Sequence, residues 1–119
     1  MRRDPAYLID VLNAAHAARD YVAGMDEQAF LADKKTQDAV IRNFEIIGEA
    51  AKRLSAETIQ LIPGVDWKGF KGFRDILIHE YDDIDLSIVW KSLTEEVPVL
   101  IERVAAHLDE TGTDPNSGG

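Results

Sequence analysis

The chain has 119 residues, 45% hydrophobic and 29% charged, the balance of a globular protein with room for one domain and a single core. No apolar run approaches the ~18 residues of a membrane span, and the absence of cysteine excludes disulfides and thiolate catalysis, leaving only His and carboxylates as metal ligands. The net charge of -9 argues against strong nonspecific nucleic-acid binding, but residues 1–79 hold 11 Lys and Arg against 12 Asp and Glu, while residues 80–119 hold 2 against 10.

Asp4-Pro5 starts a first helix, the proline sitting in the first turn where its missing N–H does no harm. Leu8, Val11, Leu12, Ala15, Ala18 and Val22 then mark one face at the helical period, and Gly24 ends it. Asp26 caps a short turn through Phe30 and Leu31. A long helix follows from about Lys34 to Leu54, with Val40, Ile41, Phe44, Ile47, Ala51 and Leu54 on one face. Gly48 and Ala51 on that face let another helix approach closely. Ser55 caps a short helix that ends at Ile62-Pro63-Gly64, and Asp66 starts the next, where Phe70, Phe73 and Leu77 point inward.

Asp82-Asp83-Ile84-Asp85 is a turn with an N-cap at Asp85. The last helix carries Leu86, Val89, Trp90, Leu93, Val97, Leu100, Ile101, Val104 and Leu108, and Pro98 within it predicts a kink, because its ring crowds the carbonyl four residues back. No window alternates with a period of two, so no strand is expected. The predicted fold is all-α, a bundle of four main helices with short extra turns, spanning residues 1–110 with a disordered tail at 111–119. Trp67 and Trp90 read as core or interface anchors. Met1-Arg2-Arg3-Asp4-Pro5 leads into the first helix without an apolar segment, so no signal peptide and a cytoplasmic location are expected.

The segment Arg74-Asp75-Ile76-Leu77-Ile78-His79-Glu80-Tyr81 carries the chemistry. Arg offers a planar fork for phosphate oxygens, and His titrates near neutral pH. The helix dipole also favours both residues near a C-terminus, and by themselves they read first as that. Asp75 and His79, four apart, share a face, so the carboxylate can orient the imidazole. Arg74 and His79 lie about 140° apart around the helix, a poor clamp in one copy. Two copies about a twofold axis would surround one phosphate, which predicts a composite homodimer site. Lys68, Lys71 and Arg74 form either a basic stripe leading into the site or a solvated helix face.

Gly69 and Gly72 belong to no phosphate loop, since no strand precedes them. His79-Glu80 lacks the second His of a metalloprotease helix, position 83 being Asp83. His16 and His107 have no ligand spacing. Neither a metal nor another cofactor is expected.

Arg74, four residues, His79, one residue, Tyr81 resembles the Arg-x4-His-x-Tyr motif of the HepT-like proteins of the HEPN superfamily, the toxin halves of MntA-HepT type toxin-antitoxin pairs. The segment from Asn43 to Lys52, Val65-Asp66-Trp67, Asp85 to Trp90 and Pro98 resemble the family's other landmarks in order, over about residues 5–108. The resemblance implies a helical homodimer and a metal-independent endoribonuclease that leaves a 2′,3′-cyclic phosphate. Carried over, Arg74 stabilises charge on the phosphate, His79 is general base or acid, and Asp75 orients His79. The implied partner is a small MntA-like nucleotidyltransferase antitoxin that adds AMP to Tyr81. Two other readings stay open: a noncatalytic partner of a nucleotidyltransferase, and a bundle whose Arg and His only hold the dimer together.

Overall fold

Most of the helices begin where a short polar side chain takes up an N–H group that the first turn leaves without a partner. The computed structural model describes residues 3–79 and 84–112, with the backbone alone for Ile78 and His79. Helix α1 (Asp4–Tyr21) has Pro5 in its first turn. Helix α2 (Glu27–Leu31) is capped by Asp26, which accepts from the Ala29 N–H at 2.8 Å, and α3 (Lys34–Arg53) by Asp33, which accepts from the Thr36 N–H at 3.1 Å. Ser55 caps α4 (Ala56–Leu61). Asp66 accepts from the Gly69 N–H at 3.0 Å at the start of α5 (Trp67–His79), and Asp85 accepts from the Ser87 N–H at 2.9 Å at the start of α6 (Leu86–Lys91). Pro63-Gly64 makes the break before α5, with Gly64 at a φ of 90° that favours glycine.

The last long helix is interrupted. Between α6 and α7 (Val97–Glu110), residues Ser92–Glu96 form a π-helical segment. The kink expected at Pro98 thus takes the form of a widened turn just before it, which relieves the crowding of the Thr94 carbonyl by the proline ring. Thr94 Oγ1 donates back to the Trp90 carbonyl at 3.0 Å. Thr111 closes the far end of α7, its N–H donating to the His107 carbonyl and its hydroxyl to that of Leu108.

The described residues form an all-α bundle with no strand among them. Helix α1 packs on α3 and α7, and α3 packs on α5. The core gathers Leu8, Val11, Phe30, Val40, Phe44, Ile47, Val89, Leu93, Val97, Leu100, Val104 and Leu108, all 2% exposed or less. Phe70 and Leu77 are buried as the helical period requires, and Phe73 is half-buried. Trp67 is buried with its indole N–H donating to the Ile62 carbonyl, and Trp90 stacks at a tilt on Phe30, ring centres 5.4 Å apart. Asp4 ties the start of α1 to α4 by accepting from the hydroxyls of Ser55 and Thr58, each at 2.5 Å. These bonds, that of Ser55 first, hold its carboxyl below the usual carboxylate range. No helix among the described residues is long and apolar enough to cross a membrane.

Candidate active site

Helix α5 reaches α3 through a glycine. A Cβ placed on Gly48 would collide with the Arg74 Cβ and lie 2.8 Å from the Phe70 carbonyl oxygen, so the two backbones meet where Gly48 leaves room. The small residues flagged in the sequence mark this crossing, and the partner they admit is the stem of Arg74. Gly48→Ala should therefore destabilise the protein. Alanine is worth about 1 kcal/mol over glycine in a helix interior, but overpacking typically costs about 1–3 kcal/mol and one of the obstructing atoms is backbone. Urea denaturation should find the midpoint lowered, and an unchanged or raised midpoint would mean that α5 shifts without strain.

At this crossing the charged side chains alternate in a chain. Arg74 is 27% exposed, and its guanidinium meets Glu49 Oε2 of α3 at 2.8 Å and Asp75 Oδ1 at 3.3 Å. Glu49 Oε1 accepts from Arg53 at 3.0 Å, and Asp75 Oδ1 also meets Lys52 Nζ at 2.6 Å. The ladder Arg53, Glu49, Arg74, Asp75, Lys52 gives each carboxylate two cations. The Arg53 hydrogen bond and then the Arg74 charge hold the Glu49 carboxyl below its ordinary value; the Lys52 hydrogen bond does the same for Asp75. Both carboxylates are thus anionic throughout the neutral range, and the stabilisation they add is lost only as pH falls through those lowered values.

The structure places the sequence-flagged residues unevenly. Arg74 and Asp75 lie together on α5. Lys68 is exposed and Lys71 half-buried on the same helix, and neither has an ion pair among the described residues. His79 is the last residue of α5, but its side chain lies outside the described residues, as does all of Tyr81. The expected pairing of Asp75 with His79 therefore lies outside them too; what is described of Asp75 is its hold by Lys52 and Arg74.

Sequence reasoning missed Glu49, Lys52 and Arg53 as site residues. Their signal was position: charged residues flanking Gly48 and Ala51 on α3 are those that can reach a helix arriving there.

A groove of about 340 Å³ opens between α1 and α3, with Arg74 in one wall. Tyr7 and Asp10 line it from α1, and Arg42, Glu45, Ile46, Glu49, Ala50 and Arg53 from α3. Hydrogen bonds from Arg3 and then Arg53 hold the Tyr7 phenol below its ordinary range. The described residues contain no group of three or more His, Asp or Glu placed to hold a metal ion.

Over residues 11–106 the chain matches the family described as Ribonuclease HepT-like. It is 42% identical over 113 residues to a candidate RNase of Methanocaldococcus jannaschii, covering 94% of this chain and 93% of that protein. It is 39% identical over 94 residues to the protein of Thermococcus cleftensis named probable ribonuclease HepT, covering 79% and 86%. A longer M. jannaschii protein, named as a gamma-glutamylcyclotransferase and candidate RNase, is 36% identical over 118 residues. These make up 98% of this chain and 53% of that protein, so the chain spans about half its length. No solved structure matches the chain.

Proposed function

We propose that this chain, which belongs to the HepT-like ribonuclease family of the HEPN superfamily, is a metal-independent endoribonuclease working at a composite site built by two copies of α5. The observation that carries this reading is the setting of Arg74: part-exposed, fixed by carboxylates of two helices, and on the helix that ends with His79. A guanidinium held this way can stabilise charge growing on a phosphoryl oxygen without reorganising.

His79 removes the proton from an RNA 2′-OH, whose oxygen attacks the adjacent phosphorus. The bond to the 5′-oxygen breaks, and that oxygen takes a proton from the His79 of the second protomer, leaving a 2′,3′-cyclic phosphate and a 5′-OH. Asp75 orients His79, and Lys68 and Lys71 guide the RNA backbone. The dimer seam falls on α5 and α6, where Ile76 is 48% and Ile88 57% exposed. The domain is residues 1–110, acting in the cytoplasm as the toxin of a toxin-antitoxin pair. Its antitoxin is an MntA-like nucleotidyltransferase that places AMP on Tyr81, setting a phosphate and a bulky adenosine where RNA must enter.

Incubating the purified protein with total RNA and tRNA in EDTA tests the reading. Cleavage should proceed and fall by roughly 100- to 10,000-fold in His79→Ala. Glu49 and Asp75 should put no bend in the pH–rate profile across the neutral range, because their cations hold both carboxyls below the ordinary values. Activity that requires Mg²⁺, or that persists in His79→Ala, would exclude this mechanism. Intact-mass measurement after co-expression with the nucleotidyltransferase, beside Tyr81→Phe, tests the antitoxin step. An inert protein that is nonetheless modified on Tyr81 would favour the noncatalytic-partner reading.

A further inference from the structure

We propose that the groove between α1 and α3 is a nucleoside subsite, seating the RNA residue next to the phosphate held at Arg74. The proposal rests on the ribonuclease reading, and it assigns to the substrate a part of the surface that this reading leaves unused. Continuity is the first support: Arg74 belongs both to the ladder and to the groove wall, so a ligand in the groove and a phosphate on Arg74 are neighbours.

Chemistry is the second. The groove volume of about 340 Å³ lies at the lower end of small-molecule clefts, roughly 300–1,000 Å³, which suits one nucleoside and not a long peptide. Ile46 and the buried Ala50 give an apolar floor on α3, and the half-buried Tyr7 ring stands beside it from α1. Arg53 lines the groove beside Tyr7 and is itself bonded to Glu49 at 3.0 Å, so a fixed cation stands near the ring. Single-stranded RNA is bound in this manner, by aromatic faces for its bases and cations for its backbone.

Charge narrows the ligand further. Arg42, Arg53 and Arg74 face Asp10, Glu45 and Glu49 in the same groove, so it is balanced in sign. A polyphosphate would meet the carboxylates, and an apolar ligand would take ion-paired side chains out of water with nothing added in return. A nucleotide residue, with one charge, an apolar ring face and N–H donors on its edge, satisfies both sets. Arg42 has the looser hold: it is 3.8 Å from Glu45 with its side chain 70% exposed, so it can turn to a phosphate at little cost.

The test measures binding apart from cleavage. Fluorescence anisotropy of the full-length protein with a short labelled single-stranded 2′-O-methyl RNA, which lacks the attacking hydroxyl, is compared for wild type, Tyr7→Ala, Tyr7→Phe and Arg42→Ala. Tyr7→Ala should raise Kd about 10-fold or more, the loss of one base stack, while Tyr7→Phe stays near wild type. Arg42→Ala, at an exposed position that leaves the fold intact, should raise Kd and flatten its salt dependence. Wild-type Kd and salt slope in Arg42→Ala, together with wild-type Kd in a folded Tyr7→Ala, overturn the subsite. If such variants still cleave unlabelled RNA while Arg74→Ala does not, the ribonuclease reading stands and the subsite alone falls. No binding of the RNA by wild type removes the subsite, and no cleavage removes the ribonuclease reading. Light scattering runs alongside: a change of oligomeric state in Arg42→Ala or Tyr7→Ala would assign the groove to a protein contact instead.

Discussion

Arg74→Ala is expected to lower RNA cleavage by about 100- to 1,000-fold, the typical cost of deleting one donor aimed at developing oxyanion charge, while the far-UV circular dichroism and the melting temperature stay near wild type. The ladder explains why the two readouts separate. When Arg74 is removed, Glu49 keeps Arg53 at 3.0 Å and Asp75 keeps Lys52 at 2.6 Å, so neither carboxylate is stranded. The side chain is also part-exposed, and its truncation opens no closed cavity. Arg74→Lys should recover little activity, since a single ammonium cannot span Glu49 and Asp75 and still present a planar fork to phosphate. Single-turnover cleavage beside thermal melting decides it. Full activity in Arg74→Ala would move the phosphate site elsewhere, and a collapsed melting temperature would make Arg74 a structural residue.

Phe44→Ala should give the largest loss of stability. Phe44 is 1% exposed on α3, and its ring stands edge-on to Phe70 and Phe73 of α5, with centres 6.2 and 5.3 Å apart and interplanar angles of 73° and 71°. Truncation of a buried Phe typically costs about 3–5 kcal/mol, against a total stability of about 5–15 kcal/mol for a domain. Because the same helix pair sets the Glu49 to Arg74 contact, activity should fall along with stability, in contrast to Arg74→Ala. Equilibrium urea unfolding measures the first effect. A loss under about 1 kcal/mol would show that the α3–α5 interface re-collapses around the missing ring.

The helices and their caps could be read from local sequence because each depends on residues a few positions apart. Asp26, Ser55, Asp66 and Asp85 cap where short polar residues precede apolar periodicity. Pro98 disclosed an irregularity in the last helix but not its form. A π segment depends on how Val89, Leu93 and Val97, spaced by four, all turn inward, a matter of packing against the rest of the bundle. The ladder was harder still. Arg74 and Glu49 are separated by much of α3, a loop and α4, and their meeting depends on the angle and distance of a helix crossing. Gly48 announced that some helix comes close, without naming the residue that would fill the space. The groove at Tyr7 left no pattern in the sequence, since its walls come from helices whose relative rotation no periodicity fixes.

The two-carboxylate hold on Arg74 also bears on the entropy of association. An arginine side chain carries about 2 kcal/mol of rotamer freedom, and a surface arginine that meets a phosphate must surrender much of it on contact. Here Glu49 Oε2 and Asp75 Oδ1 restrict the guanidinium when the chain folds. Two of its donors face these carboxylates, and the others carry no contact among the described residues. The ordering is complete before a ligand arrives, so more of the attraction between guanidinium and phosphate survives as affinity.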